Sequence, residues 1–571
     1  MGTAPGGSRP GRGHRRVSPR LRALVGGLAG AAAMIAVVTV VSRLLGFART
    51  FALASNVGAD SVVDAYAAAN ALPNVIFEVA AGGALAGALI PVLAGPVARG
   101  ARGDVDQIAS AVLGWVLVAL IPLGLLLGLL ADPVARLVTS LSGDPEQHDL
   151  VRFFVVVFAV QVPLYGVAVT LAGVLQAQRR FFWPAFAPVM SSVVVLVAYF
   201  VYGAIAGGEG SDPSAVPDAA LRWLAWGTTA GVAAMSLPLF VPVWRSGVRL
   251  RLTLRLPAGV AAHLRRLAFA GVGALLAQQA AVLVVLGLAL GGPKGTNAVF
   301  LYVQAVYVLP YAVLAVPLAT ATFPRLAERA AAADHGGFAR LAALTTRAVL
   351  VASGLGAAAL VAGAPAVASL FLEIASEGDP NVIQAMGPAL SWMAPGLLGY
   401  ALLFHVARAL YALDRGRAAV RAAAIGWLGV VGASCLLCLV VVPDPRTPAT
   451  LVALGAGNAV GMLVAGGALL IELRRAAGRA ALQGIGRSLV VLVTGGVLGA
   501  LAGRLVTDAV LELVGAGRLA AVSAGAGGGL VALVLGAGVV LALDRGIVRA
   551  VAGADGSVRR SSRTPNRRTD A

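Results

Sequence analysis

The sequence predicts an all-α polytopic membrane protein, and three observations carry that prediction. Of 571 residues, 59% are hydrophobic and only 12% are charged, whereas a soluble globular domain carries about 25% charged residues. Apolar runs recur from end to end of the chain, and a helix needs about 20 such residues to cross a bilayer. Basic side chains gather in every second connection, as expected where cytoplasmic loops are enriched in Lys and Arg.

Taken in order, the apolar runs predict fourteen transmembrane helices. The first seven cover residues 25 to 54, 65 to 97, 108 to 130, 151 to 177, 184 to 206, 221 to 243 and 262 to 290. The second seven cover 298 to 323, 341 to 371, 383 to 411, 418 to 442, 449 to 471, 487 to 506 and 518 to 543. The loop charges give a second, independent reading of the same boundaries. With the N-terminus inside, Arg9 to Arg22, Arg179 and Arg180, Arg245 to Arg266, Arg415 to Arg421 and the C-terminal tail all fall on the cytoplasmic side. The acids Asp144, Glu146 and Asp149, then Glu209, Asp212 and Asp218, then Glu373, Glu377 and Asp379 fall outside. Both termini are therefore expected in the cytoplasm. Arg15 and Arg16 before an apolar run also fit a cleavable export signal, but the alternation requires the first helix to be retained.

A duplication organises the chain. Leu72-Pro73 followed by Pro91 and Leu93 in the second span matches Leu309-Pro310 followed by Pro324 and Leu326 in the eighth. Val174 to Arg180 matches Ala409 to Arg415 at the ends of the fourth and tenth. The offset is about 235 residues, or six helices, which keeps both copies in one orientation and implies two pseudo-two-fold-related six-helix lobes around a cavity. The expected domains are a disordered basic tail (1–20), an N-terminal lobe (25–243), a C-terminal lobe (262–471), two additional helices (487–543) and a second basic tail (552–571).

Charges inside the spans mark the candidate site. An arginine at the centre of a spanning helix is disfavoured by roughly 2.5 to 3.5 kcal/mol, so Arg43 and Arg49 are expected to face a wet cavity, with snorkelling or helix packing as the alternative. Six residues apart on one helix, they lie about 9 Å apart along its axis. Such a cavity implies a transporter. Asp64 either serves the site or caps its own helix. Glu78 calls for a cationic partner, with Arg43 or Arg49 as candidates. Asn74, Gln278, Gln279 and Gln304 either bind a polar substrate or join helices, and His405 is either a proton site or a packed side chain near Arg408.

Other features carry less. The net charge of +19 is spread over inner loops and tails, which suits orientation and attraction to anionic membrane lipids; no aromatic-interleaved basic patch points to nucleic acid. Cys435 and Cys438 lie mid-span and read as packing residues. Gly291 to Thr296 has the wrong spacing for a nucleotide-binding loop. No metal-ligand spacing, cofactor motif or nucleophile with a matching base stands out.

Ser42-Arg43-Leu-Leu-Gly46-Phe47-Ala-Arg49, Asp64-Ala-Tyr66, Leu72-Pro73-Asn74 and Ala88-Leu-Ile-Pro91-Val-Leu93 together resemble the MurJ (MviN) family of lipid II flippases. The similarity continues through Leu309-Pro310-Tyr311, Pro317, Phe323-Pro324-Arg325-Leu326 and Arg408 to Tyr411, and covers most of residues 28 to 475. It implies the fold of the multidrug/oligosaccharidyl-lipid/polysaccharide exporters, with a cavity lined mainly by helices 1, 2, 7 and 8 and a lipid-tail groove at helices 13 and 14. It also implies transfer of undecaprenyl-pyrophosphate-linked peptidoglycan precursor from the inner to the outer leaflet of the cytoplasmic membrane, driven by membrane potential or by sodium or protons. Cell-wall synthesis proteins are the implied partners.

Taken together with the charges and amides inside the spans, Arg43, Arg49, Asp64, Asn74, Glu78, Gln278 and Gln304 are the expected substrate-binding residues. The sequence departs from the family at Phe77-Glu78 and Gln304-Ala305, where many members carry arginines. It departs again at Asp414-Arg415-Gly416-Arg417, where a proline is usual. The alternatives are export of another polyprenyl-linked oligosaccharide or a drug, and a non-transporting scaffold for envelope assembly.

Overall fold

The computed structural model describes residue 38 and residues 40–79, 83–207, 216–251, 253–257, 259–261, 272–375, 377–515 and 517–544. Both predicted tails and the Arg15-Arg16 pair lie outside them. The described residues are almost wholly helical. Helix α1 covers 40–56, followed by α2 (Ser61–Phe77), α3 (Gly83–Ala98), α4 (Arg102–Leu129), α5 (Ala131–Ser142), α6 (Gln147–Ala177), α7 (Phe182–Ala206) and α8 (Asp218–Arg245). Then come α9 (Val272–Leu290), α10 (Thr296–Ala331), α11 (His335–Ile374), α12 (Pro380–Met393), α13 (Gly396–Ala412), α14 (Gly416–Val441), α15 (Ala449–Ala477), α16 (Arg479–Val514) and α17 (Arg518–Leu543).

Among the described residues, eleven helices are long and apolar enough to cross a membrane, or twelve if the bent pair α12 and α13 is one span. The chain is therefore an all-α polytopic membrane protein. The expected first span is described only from its middle onward, and the expected second span is described as α2 and α3 on either side of residues 80–82, which lie outside the described residues. Prolines account for local departures from straight helices, since each removes a backbone donor. Pro395 opens α13 where α12 and α13 meet at 54°, and a π-helical stretch at Tyr311–Ala315 follows Pro310 inside α10.

Helices α2, α3 and α4 pack on α6, and α7 packs on α8. Further along, α14 pairs with α15, α16 with α17, and α11 lies across both α16 and α17. Polar groups buried among these helices find partners, as a low-dielectric interior demands. Tyr66 of α2 sits edge-on to Phe154, Phe158 and Tyr199, and its hydroxyl meets Tyr199 at 2.9 Å and Thr228 at 3.1 Å. Small residues bring backbones together, the usual basis of helix association in membranes. A Cβ on Gly399 of α13 would collide with the Met462 carbonyl of α15, and one on Gly503 of α16 with the Gly528 carbonyl of α17. At the end of α17, Arg347 of α11 holds both Asp544 oxygens at 2.8 Å and donates to Ser488 of α16 at 2.8 Å.

Candidate functional site

Helix α1 contributes Ser42, Arg43, Gly46, Phe47 and Arg49 to one wall of a cavity of about 770 Å³. Tyr165 of α6, Pro184 to Ser192 of α7, Met235 of α8 and Leu301 to Ala312 of α10 supply lining residues for the rest. Both arginines and Gln304 are exposed to this space. A six-residue step at about 100° per residue turns the two arginines about 120° apart around α1, so a cavity touching both must wrap a third of the helix. Neither arginine makes a hydrogen bond or ion pair among the described residues. Their forks of donors are thus available to an anion, and the planar, permanently charged guanidinium suits a phosphate.

Two of the three positions where the sequence departs from its resemblance also fall near this space. Phe77 stacks on the cavity-lining Tyr165 with ring centroids 5.0 Å apart, and Gln304 lines the cavity itself. Glu78 closes the last turn of α2, half-buried, and forms no ion pair with Arg43 or Arg49 among the described residues. Glu78 is not among the residues that line the cavity. Asn74 donates to the Asn70 carbonyl of its own helix at 2.7 Å. Gln278 is half-buried and Gln279 buried on α9, and neither lines the cavity. His405 is buried, 3.0 Å from the Thr345 hydroxyl, and Arg408 lies over the Phe404 ring at 3.7 Å.

Asp64 belongs to a different structure. Helix α10 begins at Thr296 with Gly295 as its cap residue, so no side chain of its own satisfies its first amides. Asp64 of α2, only 3% exposed, accepts from the backbone amides of Gly295 and Ala298, each at 2.8 Å. It therefore caps a helix 231 residues away in sequence rather than its own; the cap of α2 is Asp60.

Neighbouring contacts tie the same corner to two further segments, the turn between α5 and α6 and the turn ahead of α12. Asp144 accepts from Ser61 at 2.9 Å and pairs with Lys294 at 3.0 Å. Ala59 donates to the Glu377 carbonyl at 2.8 Å and bridges Gly378, and the Tyr302 hydroxyl donates to the Gly58 carbonyl. Burial pushes the Asp144 carboxyl up, but donation from Lys294 and Ser61 more than offsets this and holds it below its usual range. Lys294, bonded to Asp144, is raised in turn. Gly295 is required here, with φ of 84° and no room for a Cβ beside the Ala59 carbonyl. We call this set of contacts the latch. Sequence reasoning did not anticipate it, although Gly-Pro-Lys-Gly ahead of a helix with no side-chain cap was a usable signal.

A family model described as lipid II flippase MurJ matches residues 53–521. A probable lipid II flippase MurJ from Rhizobium tropici is 25% identical over 297 residues, 51% of this chain and 53% of that protein. One from Rhizobium meliloti (strain 1021) is 25% identical over 374 residues, 64% of this chain and 67% of that protein. The match thus spans about half the length of the first relative and two thirds of the second. A solved structure titled lipid II flippase MurJ, inward closed conformation, superposes with a TM-score of 0.67 over 88% of this chain and 97% of that one, at 17% identity. At that identity the likeness establishes the fold.

Proposed function

Because the chain belongs to the lipid II flippase MurJ family, we propose that it is a transporter, not an enzyme, that moves undecaprenyl-pyrophosphate-linked peptidoglycan precursor across the bacterial cytoplasmic membrane. The observation that carries this reading is the pair of arginines exposed to one cavity within a membrane helix bundle, with no side-chain partner among the described residues. A pyrophosphate entering a low-dielectric region needs cationic donors, and Arg43 and Arg49 can supply them. A cavity for cationic drugs would be disfavoured by the same charges.

In this reading fourteen helices form two six-helix lobes, α1 to α8 and α9 to α15, with α16 and α17 added and both termini cytoplasmic. The latch then seals the outer end while Arg43, nearer the cytoplasmic start of α1, meets a headgroup arriving from the inner leaflet. Gln304 contributes hydrogen bonds where related proteins carry a cation. Opening of the latch and closing of the inner end would expose the headgroup to the other side, as alternating access requires. Only a state-dependent difference in free energy drives such a change. Release of the buried contacts of Asp64 must therefore be offset by contacts formed in the outward state.

Depletion of the protein in its own cell, followed by measurement of lipid II at the outer leaflet, tests the assignment. Outer-leaflet lipid II should fall as the protein is lost. Undiminished exposure in a cell with no second flippase would refute it.

A further inference from the structure

We propose that a crevice between the ends of α14 and α15 binds the phosphate of an anionic lipid headgroup. The crevice, about 760 Å³, is lined by Arg415, Arg417 and Arg421 of the α13–α14 turn and α14, by Arg475 of α15, and by Gly273 at the start of α9. It shares no lining residue with the cavity of Arg43 and Arg49. Its face toward the inner leaflet rests on the orientation proposed above.

Four arginines and two acids, Asp414 and Glu472, line this space. Glu472 has a side chain only 13% exposed and accepts from Arg421 at 3.0 Å and from Arg475 at 2.9 Å, both on one oxygen. These bonds orient two guanidinium groups while leaving most of their donors unused. Arg415 and Arg417 are exposed, and their side chains make no hydrogen bond or ion pair among the described residues. Asp414, with φ of 55°, makes the sharp turn that carries both arginines around the start of α14. This Asp414-Arg415-Gly416-Arg417 turn stands where the family's proline is missing. The positive end of the α14 dipole adds to the same field.

An aliphatic strip continues membrane-ward from the charges. Ile425 and Leu428 follow Arg421 by four and seven residues on α14, and Ile471 precedes Arg475 by four on α15; they are 49%, 57% and 54% exposed. At those spacings each lies on the same helix face as its arginine. Clustered cations above exposed aliphatic side chains match a molecule with an anionic head and an acyl tail. Free phosphate would use only the head of this site.

The test is native mass spectrometry of the full-length protein loaded with phosphatidylglycerol. Wild type should retain the lipid, and the R415Q/R417Q variant should lose roughly thirtyfold in apparent affinity, with an unchanged melting temperature because neither side chain has a protein partner. R179Q/R180Q, altered at another basic turn, should retain it as wild type does. Equal retention by R415Q/R417Q overturns the proposal, as does equal loss from R179Q/R180Q. Binding of inorganic phosphate as tightly as phosphatidylglycerol would overturn the lipid assignment. Flippase activity of the same variants is read separately, so failure here and failure of the transport proposal are distinguishable.

Discussion

The two ends of the α1–α2 segment treat charge in opposite ways. Arg43 and Arg49 are exposed within the bundle with no side-chain hydrogen bond or ion pair among the described residues, whereas Asp64 is buried with both oxygens bonded to amides at the start of α10. A charge that must be kept in a low-dielectric region is normally paired. An unpaired one that borders a cavity is available to something that comes and goes. In the proposed reading, unsatisfied cations mark the transport path, and satisfied carboxylates mark the contact that has to break for the path to open. The Phe77–Tyr165 stack puts an aromatic wall beside the same cavity, so its cationic lining comes from α1.

The sharpest way to break this comparison is to remove the arginines. Arg43→Ala and Arg49→Ala should each lower lipid II translocation by about a hundredfold, the scale of losing a charged, desolvated hydrogen-bond partner. Membrane insertion should stay intact, read by fractionation alongside a complementation assay. Full complementation by both variants would show that the unpartnered arginines are not the headgroup site.

Asp64→Ala should come next. It leaves the first amides of α10 without their cap and should weaken the closed outer end by about 1 to 2 kcal/mol. Reaction of an engineered cysteine at position 304 with a membrane-impermeant thiol reagent added outside should accelerate. An unchanged labelling rate would mean that the buried carboxylate is not holding that end shut.

Lys294→Ala removes only the half-exposed partner of Asp144, a side chain 58% exposed, and should shift the same labelling rate by an amount equivalent to about 1 kcal/mol or less. The pH dependence follows from the depressed Asp144 carboxyl. Its contribution is fully present above the unfolded aspartate value of about 3.9 and is lost as pH falls through the lower folded value. The Lys294-dependent part of the labelling should therefore stay flat from neutral pH down to about 4. A decline already visible between neutral pH and that limit would contradict the bonded geometry at Asp144.

The smallest effect is expected at Gln304→Arg. Position 304 is exposed to the cavity, so an added cation needs no buried partner and should tighten binding of a soluble pyrophosphate by about fivefold, measured by calorimetry. A loss of binding would show that Gln304 makes a contact that an arginine cannot replace.

Much of this was legible from residues alone. The length and spacing of apolar runs marked out most of the helices from α4 to α17, because the free energy of burying such a run is local to it; the short α5 lies between two predicted spans and was not among them. Arg43 and Arg49 stood out because their cost in a membrane is also local. Asp64 stood out as an acid of the site or a cap of its own helix, but its capping of α10 was not legible, since nothing near residue 64 encodes which helix start will arrive beside it. Glu78 failed in the other direction: its cost called for a cation, and the fold offers it no ion pair among the described residues.

The chain by itself thus determined a membrane-spanning helical protein with a cationic first helix, through transfer free energies summed over short windows. Tertiary structure decided which charges stay free and which are satisfied. A hydrogen bond such as that between Asp64 and Gly295 joins residues 231 positions apart, and depends on how whole helices pack rather than on the residues that flank either partner.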